Sequence, residues 1–120
     1  MRANIPDELM NAIDDRIYLD LEIHVLNRKF VEADKQGENG YAAYLNDIIK
    51  KVTNKRKRVN TYLKENGVTI YDVVEIDEYF VEYPYSQKIN GGYKEGVQRY
   101  WKSAIKLNLS KRINNYFGGG

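Results

Sequence analysis

His24 is the only histidine in the chain, and cysteine is absent. A histidine base needs an orienting carboxylate and a nucleophile to deprotonate. Asp20 and Arg28 lie one helical turn to either side of His24, but no serine is near it in sequence. His24 therefore reads as a surface residue of a helix. The pairs Asp14-Asp15 and Asp77-Glu78 are the carboxylates that metal binding or acid–base work would use. Neither stands in a ligand spacing such as an EF-hand loop or an HExxH helix, and helix-start and turn chemistry account for both. Asn90-Gly91-Gly92 is not a GxGxxG phosphate loop. The expectation is a non-enzymatic chain with no catalytic residue, no metal and no cofactor.

Binding chemistry is better represented. Lys50-Lys51 and Lys55-Arg56-Lys57-Arg58 form the sharpest charge feature of the chain. On a helix Lys51, Lys55 and Arg58 share one face, with Arg56 and Lys57 toward its flanks. Convergent cations of this kind hold phosphates, and arginine can do so bidentately. Lys51, Lys55, Arg56 and Arg58 are thus the candidates for phosphate or nucleic-acid binding. The competing reading is a solvated face set against an acidic first helix. A second constellation lies further on. Phe80, Tyr83 and Tyr85 offer rings for stacking, Asn90 a hydrogen-bonding reader and Arg99 a cation, which together suit a nucleotide-like ligand. Core packing or an oligomer interface would use aromatics equally well, and Trp101, spaced with Val97 and Ile105, is expected in the core.

Long helices must position these groups. Pro6 followed by Asp7 and Glu8 is a helix start. Leu9, Ile13, Ile17, Leu21 and Val25 recur every four residues, and Leu19, Ile23, Leu26 and Phe30 form a second stripe. The spacing predicts a helix over 7–35 that is apolar on two sides, which suggests a homo-oligomer. Strict alternation over 17–25 makes a strand the rival there. After the loop 36–40, with Asn39 as a candidate cap, a second helix runs to Asn66-Gly67 and completes an antiparallel hairpin over 7–66. Residues 68–92 read as an aromatic β segment broken near Asp77-Glu78, with Pro84 confining its second strand to an edge. From residue 94 an alternating pattern competes with a four-residue one. The latter predicts a C-terminal helix over 94–117, ended by Gly118-Gly119-Gly120, a native stop or a cloning remnant. The fold class expected is α+β: a long helical hairpin, a small antiparallel sheet and a C-terminal helix, in a single domain over 1–120.

Composition sets the outer bounds. An apolar share of 42% and a charged share of 30% are those of a globular chain. No apolar run is long enough to span a membrane, no secretory signal opens the chain, and the lack of cysteine suits a reducing compartment. A cytoplasmic location is expected. The net charge of +2 is segregated. Residues 1–49 carry −5, 50–66 carry +6, 67–87 carry −5 and 88–120 carry +6.

Ile5-Pro6-Asp7-Glu8-Leu9 resembles the strand-to-helix entry of ribbon-helix-helix repressors, but no second short helix follows promptly. Lys, Asn, Ile and Tyr supply 46 of the 120 residues, a codon bias that is similar to that of small phage and mobile-element proteins of low-GC Gram-positive hosts. Over residues 80–112 an aromatic, a later Asn and downstream Arg and Lys make the chain resemble phage sponges of the Thoeris anti-defence type. That resemblance implies sequestration of a cyclic-nucleotide immune signal. The alternatives are nucleic-acid binding through the Lys/Arg run, or protein-directed inhibition of a host complex that handles nucleic acid.

Overall fold

The computed structural model describes residues 5–118. α1 (Asp7–Lys35) and α2 (Asn39–Glu65) are followed by β1 (Val68–Ile70), β2 (Val74–Glu75), β3 (Phe80–Ile89), β4 (Gly92–Trp101) and α3 (Lys102–Phe117). This is the α+β architecture expected, with α1 bounded as the periodicity predicts and α2 starting two residues earlier, inside the expected loop 36–40. Pro6 opens α1 by accepting from the amides of Leu9 and Met10. α2 stops at Asn66-Gly67, where Gly67 has φ +71°. Asn39 is already inside α2, and the capping position falls on Glu38 with no side-chain cap bond. Of the expected Gly118-Gly119-Gly120 stop, the last two residues lie outside the described residues. No helix among the described residues is long and apolar enough to cross a membrane.

The strand rival over 17–25 loses because both α1 stripes are covered within one chain. Leu9, Ile13 and Ile17 pack with Leu63 of α2 and with Val68 and Tyr85 of the sheet. Leu19, Leu26 and Ala33 pack with Ala42, Leu45, Ile48 and Val52 of α2 and Ile113 of α3. A strand could not present both sets inward over this length, whereas a helix between two layers does. Burying each of the Leu, Ile and Val side chains among these is worth about 1.5–3 kcal/mol. Leu21, Ile23, Val25 and Phe30 of the two stripes pack against these clusters and stay half-buried, so most of the apolar surface of α1 is used within one chain.

Two further sequence expectations need correction. The helix predicted over 94–117 begins only at Lys102; residues 92–101 form β4, antiparallel to β3 from Phe80↔Trp101 to Ile89↔Gly92. The two-residue loop Asn90-Gly91, with Gly91 at φ +86°, closes a hairpin. It commits the following residues to a ten-residue ladder in which Tyr93, Val97 and Trp101 suit the pleat. The second correction concerns Pro84. β3 is the central strand, with β4 on one side and β1 and β2 on the other. Ile70 pairs with Tyr85 and Val74 with Glu82, so three residues, 71–73, face only two on β3. The extra residue is a bulge. The carbonyl of Pro84 accepts from Tyr71 on that side, so its ring nitrogen, which has no hydrogen to donate, faces the interrupted part of the ladder.

Candidate functional site

Cross-strand partners point to the same face of a sheet. Val68, Ile70, Tyr83, Tyr85, Gln98 and Tyr100 therefore share the inner face, toward α1 and α2. Phe80, Glu82 and Pro84 share the outer face with Tyr93, Glu95, Val97, Arg99 and Trp101. No helix among the described residues covers this outer face. Tyr93 is 65% exposed, Trp101 61% and Val97 49%. At its far end the Arg99 guanidinium sits 5.6 Å from the Phe80 ring centre and pairs with Glu82 at 2.6 Å, while Trp101 meets Phe80 edge-on at 5.3 Å. At mid-strand Tyr71 bonds Ser86 at 2.9 Å and helps to wall a shallow recess of about 410 Å³ floored by Pro84 and Val97.

Of the five residues expected to hold a nucleotide, only Phe80 and Arg99 meet. Tyr83 and Tyr85 lie on the opposite face. Tyr83 stands edge-on to Tyr100, with centroids 5.9 Å apart, and burial followed by the charge of Asp20 raises its pKa. Tyr85 is 5% exposed, donates to the Met10 sulfur at 3.6 Å and lies across Gly96. Asn90 is at the hairpin tip, about 25 Å along the strand from Arg99. Trp101, expected in the core, stands on the open face instead. It is the last residue of β4, and its ring follows the pleat outward.

The Lys/Arg run lies where the sequence put it, on α2. Lys50, Lys51, Lys55, Lys57 and Arg58 are exposed. None forms an ion pair among the described residues. Only Arg56 is neutralised internally, by the Asp20 carboxylate, which also takes Arg16 at 3.0 Å. Internal neutralisation therefore accounts for one cation of six. Lys51, Lys55 and Arg58 form one row; Lys50, Lys57 and Lys64 form a second on the same outward half of the helix. His24 is exposed on α1.

Sequence reasoning missed a polar cluster between α1 and α3. Glu22 is 0% exposed and accepts from Arg112 at 2.7 Å and from the Tyr116 hydroxyl. Arg112 also reaches Asp15 at 3.2 Å and lies over the Tyr18 ring at 5.1 Å. Nearby, the Tyr100 hydroxyl donates to Asp14 at 2.6 Å. Burial alone would lower the Arg112 pKa, but Glu22 and Asp15 outweigh it and raise the value. Burial and the bond to Glu22 push the Tyr116 pKa up; burial and the bond to Asp14 do the same for Tyr100. The signal was present in the spacing: Asp15, Tyr18 and Glu22 share a helical face, as do Asn108, Arg112 and Tyr116. No buried side-chain donor or acceptor here lacks a partner among the described residues, so the cluster reads as the lock that seats α3. Among the described residues no group of three or more metal-ligating side chains comes together.

A protein-family model described as YhjD protein matches residues 4–120. No curated protein and no solved structure matches the chain.

Proposed function

The chain belongs to the YhjD protein family, and we propose that it is a non-enzymatic binding protein that holds the phosphates of a nucleic acid against α2. The observation that carries this reading is the state of the Lys/Arg run: five exposed cations at 50–58 without an acid partner among the described residues. They span about 12 Å of helix, over which duplex DNA presents several phosphates. Lysine and arginine without a competing carboxylate keep their full capacity to displace condensed counterions.

Binding of this kind weakens steeply with salt. Three to five phosphate contacts give a slope of log K against log salt of about −3 to −4.5 on duplex DNA. Fluorescence anisotropy with duplex and single-stranded oligonucleotides over a salt series is the test. Replacing Lys51, Lys55 and Arg58 by Ala should weaken binding on every sequence and flatten the slope by about 3. A wild-type chain with no salt-dependent affinity for any DNA or RNA rules the reading out.

A nucleotide immune signal, the ligand that the resemblance to phage sponges implies, is the second reading. Phe80, Trp101 and Arg99 side by side on the open face favour it, since a ring and a cation stand together there. It ranks second because Tyr83, Tyr85 and Asn90 are held elsewhere. Calorimetry with cyclic nucleotides separates the two.

A further inference from the structure

We propose that the open face of the sheet is a self-association surface, and that its occupant is a second copy of this chain whose β4 lies antiparallel across the first. The pattern along β4 carries the inference. Its outward residues are Tyr93, Glu95, Val97, Arg99 and Trp101. Read from either end, this is aromatic, charged, Val, charged, aromatic, with the two charges opposite in sign. A two-fold axis in the plane of the interface, across the strands at Val97, turns one face onto the other and reverses the strand. It sets Val97 on its own copy, Glu95 against the partner's Arg99 and Trp101 against the partner's Tyr93. The sequence is thus self-complementary under the operation that makes an isologous dimer.

Three further observations agree. Glu95 is exposed and has no ion-pair partner among the described residues, while Arg99 keeps an open side beyond its bond to Glu82. No charge is left like against like at the positions flanking the axis. The three ribbons make a face about 27 Å by about 14 Å, roughly 400 Å² per copy, the size of a weak, reversible contact. Dimerisation at about 100 μM and above is expected, with sedimentation run up to that range. Packed sheets twist by about 30° relative to each other, a rotation that costs least next to the axis, where Glu95 and Arg99 lie.

The test uses charge reversal in trans. Glu95→Arg sets two guanidinium groups against each other, the introduced one and the partner's Arg99. Arg99→Glu likewise sets Glu95 against an introduced carboxylate. Each variant alone should dimerise at least tenfold more weakly than the wild type. Mixed in equal amounts, the two satisfy both pairs, and dimers should return in sedimentation velocity. Trp101 is the only tryptophan. Its emission should shift to the blue with rising wild-type concentration and in the mixture, but not in either variant alone. Should Arg99→Glu unfold by circular dichroism, Glu95→Arg and Val97→Asp carry the test, and persistence of dimers in either overturns the proposal. A wild type that stays monomeric with Trp101 freely quenched, or a mixture of folded variants that stays monomeric, also overturns it.

Discussion

Tyr85 lies directly across Gly96: a Cβ placed on Gly96 would stand 2.5 Å from the Tyr85 hydroxyl oxygen and 2.7 Å from its Cζ. Glycine in the middle of a ten-residue strand therefore has a packing reason, the close approach of a buried ring. Gly96→Ala should cost about 1–3 kcal/mol, the usual penalty of overpacking, read as a lower urea midpoint. Adding Tyr85→Phe should not restore it, because the ring carbon still collides.

Arg112 and Glu22 make a second expectation. Removing one partner of a buried ion pair leaves a charge without compensation, at about 3–5 kcal/mol. Arg112→Ala should therefore destabilise severely in chemical denaturation. The double variant Glu22→Leu, Arg112→Met should recover most of the loss, since two apolar side chains of similar volume remove both charges at once.

Alkali should unfold the protein early. Burial first, then a neighbouring carboxylate, raises the pKa of Tyr83, Tyr100 and Tyr116. In the unfolded chain these phenols ionise near pH 10; in the folded chain they keep their protons higher. The unfolded state thus binds fewer protons above that pH, and the stability they contribute, complete below it, is lost as pH rises toward the folded values. The denaturation midpoint should hold level from neutrality and fall above about pH 10. Tyr116→Phe should make that fall shallower, at the expense of some stability at pH 7.

Trp101→Ala should leave the fold nearly intact. The ring is mostly exposed and its one aromatic neighbour is Phe80, so a loss of no more than about 1.5 kcal/mol is expected. A calorimetric melt checks it: a loss typical of a core tryptophan, about 3–5 kcal/mol, would contradict the placement of Trp101 on the open face.

The helical hairpin was legible because Leu9, Ile13, Ile17 and their counterparts on α2 follow the helical period over seven turns or more and end at Gly37 and Gly67. β4 was not, and its composition explains why. A sheet strand is recognised by apolar residues inward and polar residues outward. In β4 the inward side holds Lys94, Gly96, Gln98 and Tyr100, and the outward side Tyr93, Val97 and Trp101. With the usual contrast reversed, the four-residue recurrence of Val97, Trp101 and Ile105 imitated a helix. Pro84 misled in the same region, because a proline is compatible with a central strand only where the neighbouring ladder is broken, and the bulge at 71–73 leaves no clear local mark. Of the candidate sites, the Lys/Arg run was read from α2 alone and stands where expected. The nucleotide constellation depended on which way Tyr83, Tyr85 and Arg99 point, and one register decides all three.

The lock between α1 and α3 also sets an order of events at the ribosome. Glu22 and Arg112 are separated by 90 residues, so translation at about 5–20 residues per second delivers the guanidinium roughly 5 to 18 seconds after the carboxylate. Throughout that interval Glu22 lacks Arg112, the cation it pairs with in the folded chain, and the flank of α1 that receives α3 stays open to water. The hairpin of α1 and α2 is complete in sequence by residue 65 and can close early. The docking of α3 is the step that waits, and a nascent chain halted before Arg112 should accordingly be more easily cut by protease than the full-length protein.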